Sequence, residues 1–177
     1  MSKKNRIYKF DSIIGRHEGK VYYDHVIIPA KIHDKIVQDG NKRVLCTINE
    51  HEYFHAGLLP TGDGSYYIIL NKTRMKAFAL DIGQKVTVSL EKDTSKYGMK
   101  MPDEFKEVLE SDPSGSRLFE ELTDGKKRNL IHLVASIKNV DLKITKALII
   151  IDHLKANKGK IDFKLLMEAM KVKNRKY

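Results

Sequence analysis

Cysteine occurs once in the 177 residues, tryptophan not at all and proline four times. The single Cys46 cannot close a bridge within the chain, which excludes a disulfide-held scaffold and fits a reducing compartment. None is needed, because a chain of this length buries roughly 70% of its unfolded-state surface on folding. Long apolar runs are missing as well. The longest strongly apolar stretch, Ala147 to Ile151, falls far short of the roughly 18 residues that a membrane-spanning helix requires. The charged start is followed by Ile7-Tyr8-Lys9-Phe10, an alternating strand pattern rather than the apolar centre of a signal peptide. A cytoplasmic protein without membrane insertion is therefore expected.

Acidic residues are also in short supply, at 23 Asp and Glu against 33 Lys and Arg, for a formal charge of +10 and a pI near 9.5. The excess is local. Residues 1–93 carry a net +4 and residues 94–124 a net −4, whereas residues 125–177 hold 14 basic and 4 acidic side chains. Such asymmetry favours acidic partners, nucleic acid or an acidic protein, with an attraction that weakens as salt rises. A solvated lysine-rich helical surface is the plainer explanation of the same count.

The first half reads as one β unit occurring twice. Val21 to Ile28 and Val44 to Ile48 are predicted strands, with Val44, Cys46 and Ile48 alternating against Leu45 and Thr47. Cys46 is expected in the core rather than as a nucleophile. Between them, Pro29 to Val37 predicts a short helix ended near Gly40. The pattern returns as a strand over Tyr66 to Leu70, a short helix over Lys72 to Leu80, a stop at Gly83 and a strand over Val86 to Leu90. Val26 to Ile68 spans 42 residues, Gly40 to Gly83 spans 43, and Val44 to Val86 spans 42. Two such units can close into a small pseudo-symmetric barrel with few exposed edges. Leu59 to Gly64 reads as the connecting turn. Tyr22, Tyr23, Tyr66 and Tyr67 occupy near-equivalent places, where cross-strand packing competes with stacking on bases.

The second half is helical. Pro102-Asp103-Glu104 and Asp112-Pro113 suit helix starts, Thr123 or Asp124 can cap a third helix, Asp141 a fourth and Asp162 a last one, with Asn157 and Gly159 as stops. The apolar stripes recur at helical spacing, which favours packing over a cofactor role. Asn174 to Tyr177 reads as a frayed basic end.

Few motifs carry chemistry. His51-Glu52-Tyr53-Phe54-His55 matches the HExxH string of zinc hydrolases, which needs both histidines on one helix face and the glutamate beside the metal-bound water. Here the string follows a strand after two residues and runs into Ala56-Gly57-Leu58-Leu59-Pro60, the context of a hairpin turn and a returning strand. His51, Glu52 and His55 are therefore taken as a decoy, with no metal and no cofactor expected. There is no phosphate-cradling loop and no serine elbow. Lys126-Lys127-Arg128 lies at a helix start, where the dipole disfavours cations, so it is the candidate polyanion contact. No catalytic residue is assigned.

In the order of its motifs the chain resembles bacterial proteins that pair an N-terminal domain of unknown function 1905 with a C-terminal bacteriocin-protection, YdeI or OmpD-associated domain. The resemblance rests on Leu58 to Gly64, Tyr66 to Leu70, Lys72 and Arg74, Asp81 to Val88, Leu90 to Asp93, Met101-Pro102, Phe119, Leu122-Thr123 and Lys127-Arg128. It departs at Ser136-Ile137-Lys138 and Asp141-Leu142-Lys143, where members usually show further arginines. The resemblance implies an α+β protein: a small double-split β-barrel over residues 1–93, built from two internal β-helix-β repeats, a linker over 94–101, and a C-terminal helical domain over 102–177. Lys72 and Arg74 are its candidate ligand-facing residues.

The family name points to antimicrobial-peptide tolerance, and no catalytic activity transfers with it. A chain of charge +10 repels cationic peptides, so a regulatory role with an acidic partner on the basic helices is expected rather than sequestration. The alternatives are a small-molecule hydrolase with a cleft between barrel and helices, and a protein-interaction adaptor. A barrel completed within one chain suits a monomer.

Overall fold

A computed structural model describes residues 6–19 and 22–173. Val21 and the stretch from Asn174 to Tyr177 lie outside the described residues. The chain divides into two compact units, one up to Gly98 and one from Met99.

The first unit is an antiparallel sheet of seven strands with two short helices. Its elements are β1 (Tyr8–His17), β2 (Tyr23–Ile28), α1 (Ala30–Ile36), β3 (Arg43–Ile48), β4 (Phe54–Gly57), β5 (Leu59–Pro60), β6 (Tyr66–Leu70), α2 (Lys72–Ala77) and β7 (Lys85–Lys92). The strand order is β4-β3-β7-β1-β2-β6-β5. Its two end strands, β4 and β5, are separated along the chain only by Leu58, so one continuous run supplies both ends of the sheet and curls it into a nearly closed barrel. Closure leaves little edge exposed. Two runs change partners along their length. In β1, Tyr8 to Ile13 pair with β7 and Ile14 to His17 with β2; after β4 has paired with β3, β5 pairs with β6.

The period of two sorts the side chains. Ile14, Val26, Ile28, Val44, Cys46, Ile48, Ile68, Leu70, Val88 and Leu90 fill the interior at 0–2% exposure, each contributing roughly 1.5–3 kcal/mol by leaving water. Two pairs of opposed residues stand 42 positions apart in sequence, Val26 with Ile68 and Thr47 with Ser89. The tyrosines pack across strands: Tyr23 and Tyr67 stack at 5.4 Å, and the Tyr23 hydroxyl donates to that of Tyr67 at 3.1 Å. His33 of α1 stacks on Tyr66.

The second unit is helical: α3 (Asp103–Ser111), α4 (Pro113–Glu120), α5 (Asp124–Ala135), α6 (Val140–Ala156) and α7 (Phe163–Lys173). The other four helices pack on α6, whose Ala147, Ile150, Ile151 and Leu154 are buried. Phe105 meets Phe119 edge to face at 5.3 Å. Asp112 caps α4 through the Gly115 N–H at 2.9 Å, and Asp162 accepts from Leu165 N–H at 3.1 Å at the start of α7. The cap of α6 is Asn139, accepting from Leu142 N–H at 2.9 Å, rather than Asp141, which lies inside the first turn. Either residue type can cap, and Asn139 starts the helix before Val140.

Candidate functional site

On the outer face of the barrel, Arg43 of β3 lies opposite Gly57 of β4, and Leu45 opposite His55. Asp93 follows β7, its N–H donating to Arg43 O at 3.1 Å. Its side chain is 1% exposed and its Oδ2 stands 2.7 Å from His55 Nδ1. The other oxygen accepts from Ser95 N–H at 2.9 Å and Ser95 Oγ at 2.6 Å. Burial pushes this carboxyl up, but the hydrogen bonds from His55 and Ser95 outweigh it and hold the group below its ordinary range. With Asp93 Oδ2 as the acceptor, His55 donates through Nδ1–H, which selects the tautomer in which Nε2 is the acceptor nitrogen. Ser95 bonds to the carboxylate and not to the imidazole, so His55 is a histidine oriented by Asp93.

Arg43 is fixed beside it. Its Nη2 donates to Gly98 O at 2.7 Å. A Cβ at Gly57 would stand 3.0 Å from Nη1, and one at Gly98, where φ is +67°, would stand 2.9 Å from Nε. Two glycines thus leave room for the guanidinium. Between β4 and β6 opens a cleft of about 270 Å³ lined by Arg43, His55, Gly57, Leu59, Ile68 and Ile69.

In the helical unit, ion pairs join the elements: Glu104 with Lys143 at 3.0 Å, Glu120 with Lys127 at 3.2 Å and Asp112 with Lys155 at 2.8 Å. The Lys126-Lys127-Arg128 string is split by this. Lys126 is exposed, Lys127 is 13% exposed and bound to Glu120, and Arg128 is half-buried. Lys158, Lys160 and Lys164 are all exposed and form no ion pair with described residues. Lys158 and Lys160 lie in the turn between α6 and α7 and Lys164 in the first turn of α7; Gly159 N–H fastens the turn to Leu154 O at 2.8 Å and Asp162 N–H to His153 Nε2 at 3.1 Å.

Two family models match in succession. Residues 10–90 match the domain of unknown function DUF1905, and residues 98–157 the domain named for bacteriocin protection, YdeI or OmpD association. The chain belongs to this two-domain family. A comparison with curated proteins found no match. The oriented histidine and its cleft sit in the DUF1905 domain, while Lys158, Lys160 and Lys164 follow the last residue matched to the bacteriocin-protection domain.

The DUF1905 domain also holds the remaining sequence candidates. The HExxH string is not helical: Asn49 and Glu50 turn at positive φ and β4 begins at Phe54. His51 stacks on Phe78 at 4.4 Å, Glu52 is exposed, and His55 turns to Asp93. Among the described residues no group of three His, Cys, Asp or Glu is placed to hold a metal. Lys72 and Arg74 diverge. Lys72 borders a shallow depression with Arg16, Asp24 and Lys76, whereas the Arg74 guanidinium lies 3.6 Å from the centre of the Phe54 ring, half-buried, its pKa lowered by desolvation. Cys46 is fully buried, and burial pushes its thiol up to about 12. Asp93, Arg43 and the turn lysines are the residues that reading the sequence did not single out. For the lysines a signal was present, Lys155-Ala156-Asn157-Lys158-Gly159-Lys160, but for Asp93 there was none without the register.

Proposed function

We propose that this bacteriocin-protection family member is a non-catalytic cytoplasmic binding protein whose helical unit docks an acidic partner, nucleic acid first among them, on the turn between α6 and α7. The observation that supports it is the contrast in lysine use. Lys127, Lys143 and Lys155 are bound to acids of neighbouring helices, whereas Lys126, Lys138, Lys158, Lys160 and Lys164 stand exposed with no ion pair among the described residues. Unpaired cations attract phosphates and release their counterions, giving affinity that falls with salt. Three of them fall between positions 158 and 164, two in the turn and one in the first turn of α7, whereas the Lys126-Lys127-Arg128 string has Lys127 bound to Glu120.

The barrel is best understood as a double-split barrel of two β-helix-β copies. What supports this is the register. The opposed pairs Val26 with Ile68 and Thr47 with Ser89 each join residues 42 apart, as a two-fold axis relating two copies requires. The partner change within β1 has its counterpart in the run from β4 to β5. A barrel completed in this way leaves the chain a monomer.

The direct test is binding of a labelled single strand and a labelled duplex to two variants. Replacing Lys158, Lys160 and Lys164 by Gln together is expected to weaken binding at least about tenfold and to lower the salt slope by roughly two to three. Lys127→Gln is expected to loosen the fold and leave binding unchanged. Equal binding by the triple variant and the parent overturns the proposal.

A further inference from the structure

The cleft between β4 and β6 brings together three kinds of group that recognition of a small acid requires. The first is a fixed cation. Arg43 is threaded over Gly57 and Gly98, and its Nη2 is tied to Gly98 O, so its side chain has already lost the freedom that binding would otherwise remove. A guanidinium held this way suits a planar carboxylate. The second is a directed acceptor. With Nδ1 donating to Asp93, Nε2 in that tautomer of His55 can accept a hydrogen bond from a ligand hydroxyl or amide N–H. The third is an apolar wall, supplied by Leu59 and Ile69, which are 38% and 41% exposed.

We propose that this cleft binds a small carboxylate whose α-carbon carries a hydrogen-bond donor and a branched aliphatic chain. Arg43 takes the carboxylate, His55 Nε2 accepts from the donor, and Leu59 and Ile69 cover the chain. The volume of about 270 Å³ falls just below the usual range for ligand pockets, which limits the occupant to one residue-sized acid. The same chemistry is presented by a free hydroxy acid and by the C-terminal residue of a peptide, and the two are separated by the probes below. The site is in the barrel and its proposal does not depend on the lysine turn of the helical unit.

The test uses the full-length chain, with methyl NMR and calorimetry as readouts. The probes are 2-hydroxyisocaproate, N-acetyl-leucine, isocaproate, which lacks the donor, and isoamyl alcohol, which lacks the carboxylate. Saturable binding of at least one of the first two is expected, with the largest shifts at Leu59 and Ile69. Isocaproate should bind at least about fivefold more weakly and isoamyl alcohol at least about tenfold more weakly. Binding of N-acetyl-leucine points to peptide C-termini, and binding of the hydroxy acid alone to a free metabolite. Arg43→Gln removes the tie to Gly98 and can unfold the segment, so the deciding variants are Ile69→Glu and His55→Gln. The first places a negative charge on the outer wall at a partly exposed position and should abolish binding of the acids. The second should cut the preference for a donor-bearing acid over isocaproate. No binding of any probe at about 10 mM, equal binding of alcohol and acids, or parent-like binding by both variants overturns the proposal.

Discussion

Val26 and Ile68 lie directly opposite each other in the β2–β6 pair, both fully buried and 42 residues apart in sequence. Each neighbour along the pair is mirrored across this point: Asp24 faces Leu70 as Tyr66 faces Ile28. The centre of the ladder is therefore also the centre of the core on that side of the barrel. Ile68→Ala is expected to cost about 2–5 kcal/mol, and Val26→Ala less. The double variant should depart from additivity, since the two side chains share one site. Urea denaturation of the three variants checks this.

Asp93 supports an acid-sensitive barrel. Its folded pKa lies below the ordinary value of 3.8, so its contribution is present above that value and is lost as pH falls through the folded pKa. Asp93→Asn leaves His55 and Ser95 with a poorer acceptor. A loss of about 1–3 kcal/mol near pH 7 is expected, together with a shallower decline of stability below pH 4. An unchanged acid limb followed by urea melts contradicts the assignment.

Gly115 sits where α4 meets α6, and a Cβ there would stand 2.3 Å from Ile151 Cγ2. Gly115→Ala should destabilise the helical unit by about 1–3 kcal/mol through overpacking. Gly125, in the first turn of α5, has nothing within 4 Å, so Gly125→Ala should stabilise by up to about 1 kcal/mol. Opposite signs in thermal melts are the expected result.

Cys46 should resist labelling. A thiol at 0% exposure with its pKa pushed up by burial to about 12 presents neither access nor thiolate. Intact-mass measurement after iodoacetamide is expected to show no adduct in the native protein and one in denaturant.

Much of this fold is legible in local pattern. Tyr66 to Leu70 alternates as β6 does, Asn71 and Lys72 begin α2, and Asp112-Pro113 marks α4, because each signal is contained within a few residues. The second half of β1 is not. Gly15, Arg16 and His17 carry no apolar alternation of their own, and are strand because the run turns from β7 to β2 at Ile14. Leu59-Pro60 reads as a turn yet forms β5, since proline is tolerated at a sheet edge where its missing N–H costs nothing. The site divides in the same way. His55 stands out in sequence only as half of a metal-binding string, and its partner Asp93 lies 38 residues on. That pairing depends on β3 lying between β4 and β7, which no local pattern states. The lysine turn was visible as composition, but which lysines are already paired is decided by helix packing.

The central claim is that the lysines of the α6–α7 turn engage a polyanionic partner. The most direct measurement is a salt titration of binding to a single strand, a duplex and heparin. The account predicts that one nucleic acid binds more tightly than heparin and remains bound near 150 mM salt, where the screening length is about 8 Å. Binding that vanishes there, or that treats the three polyanions alike, would contradict it.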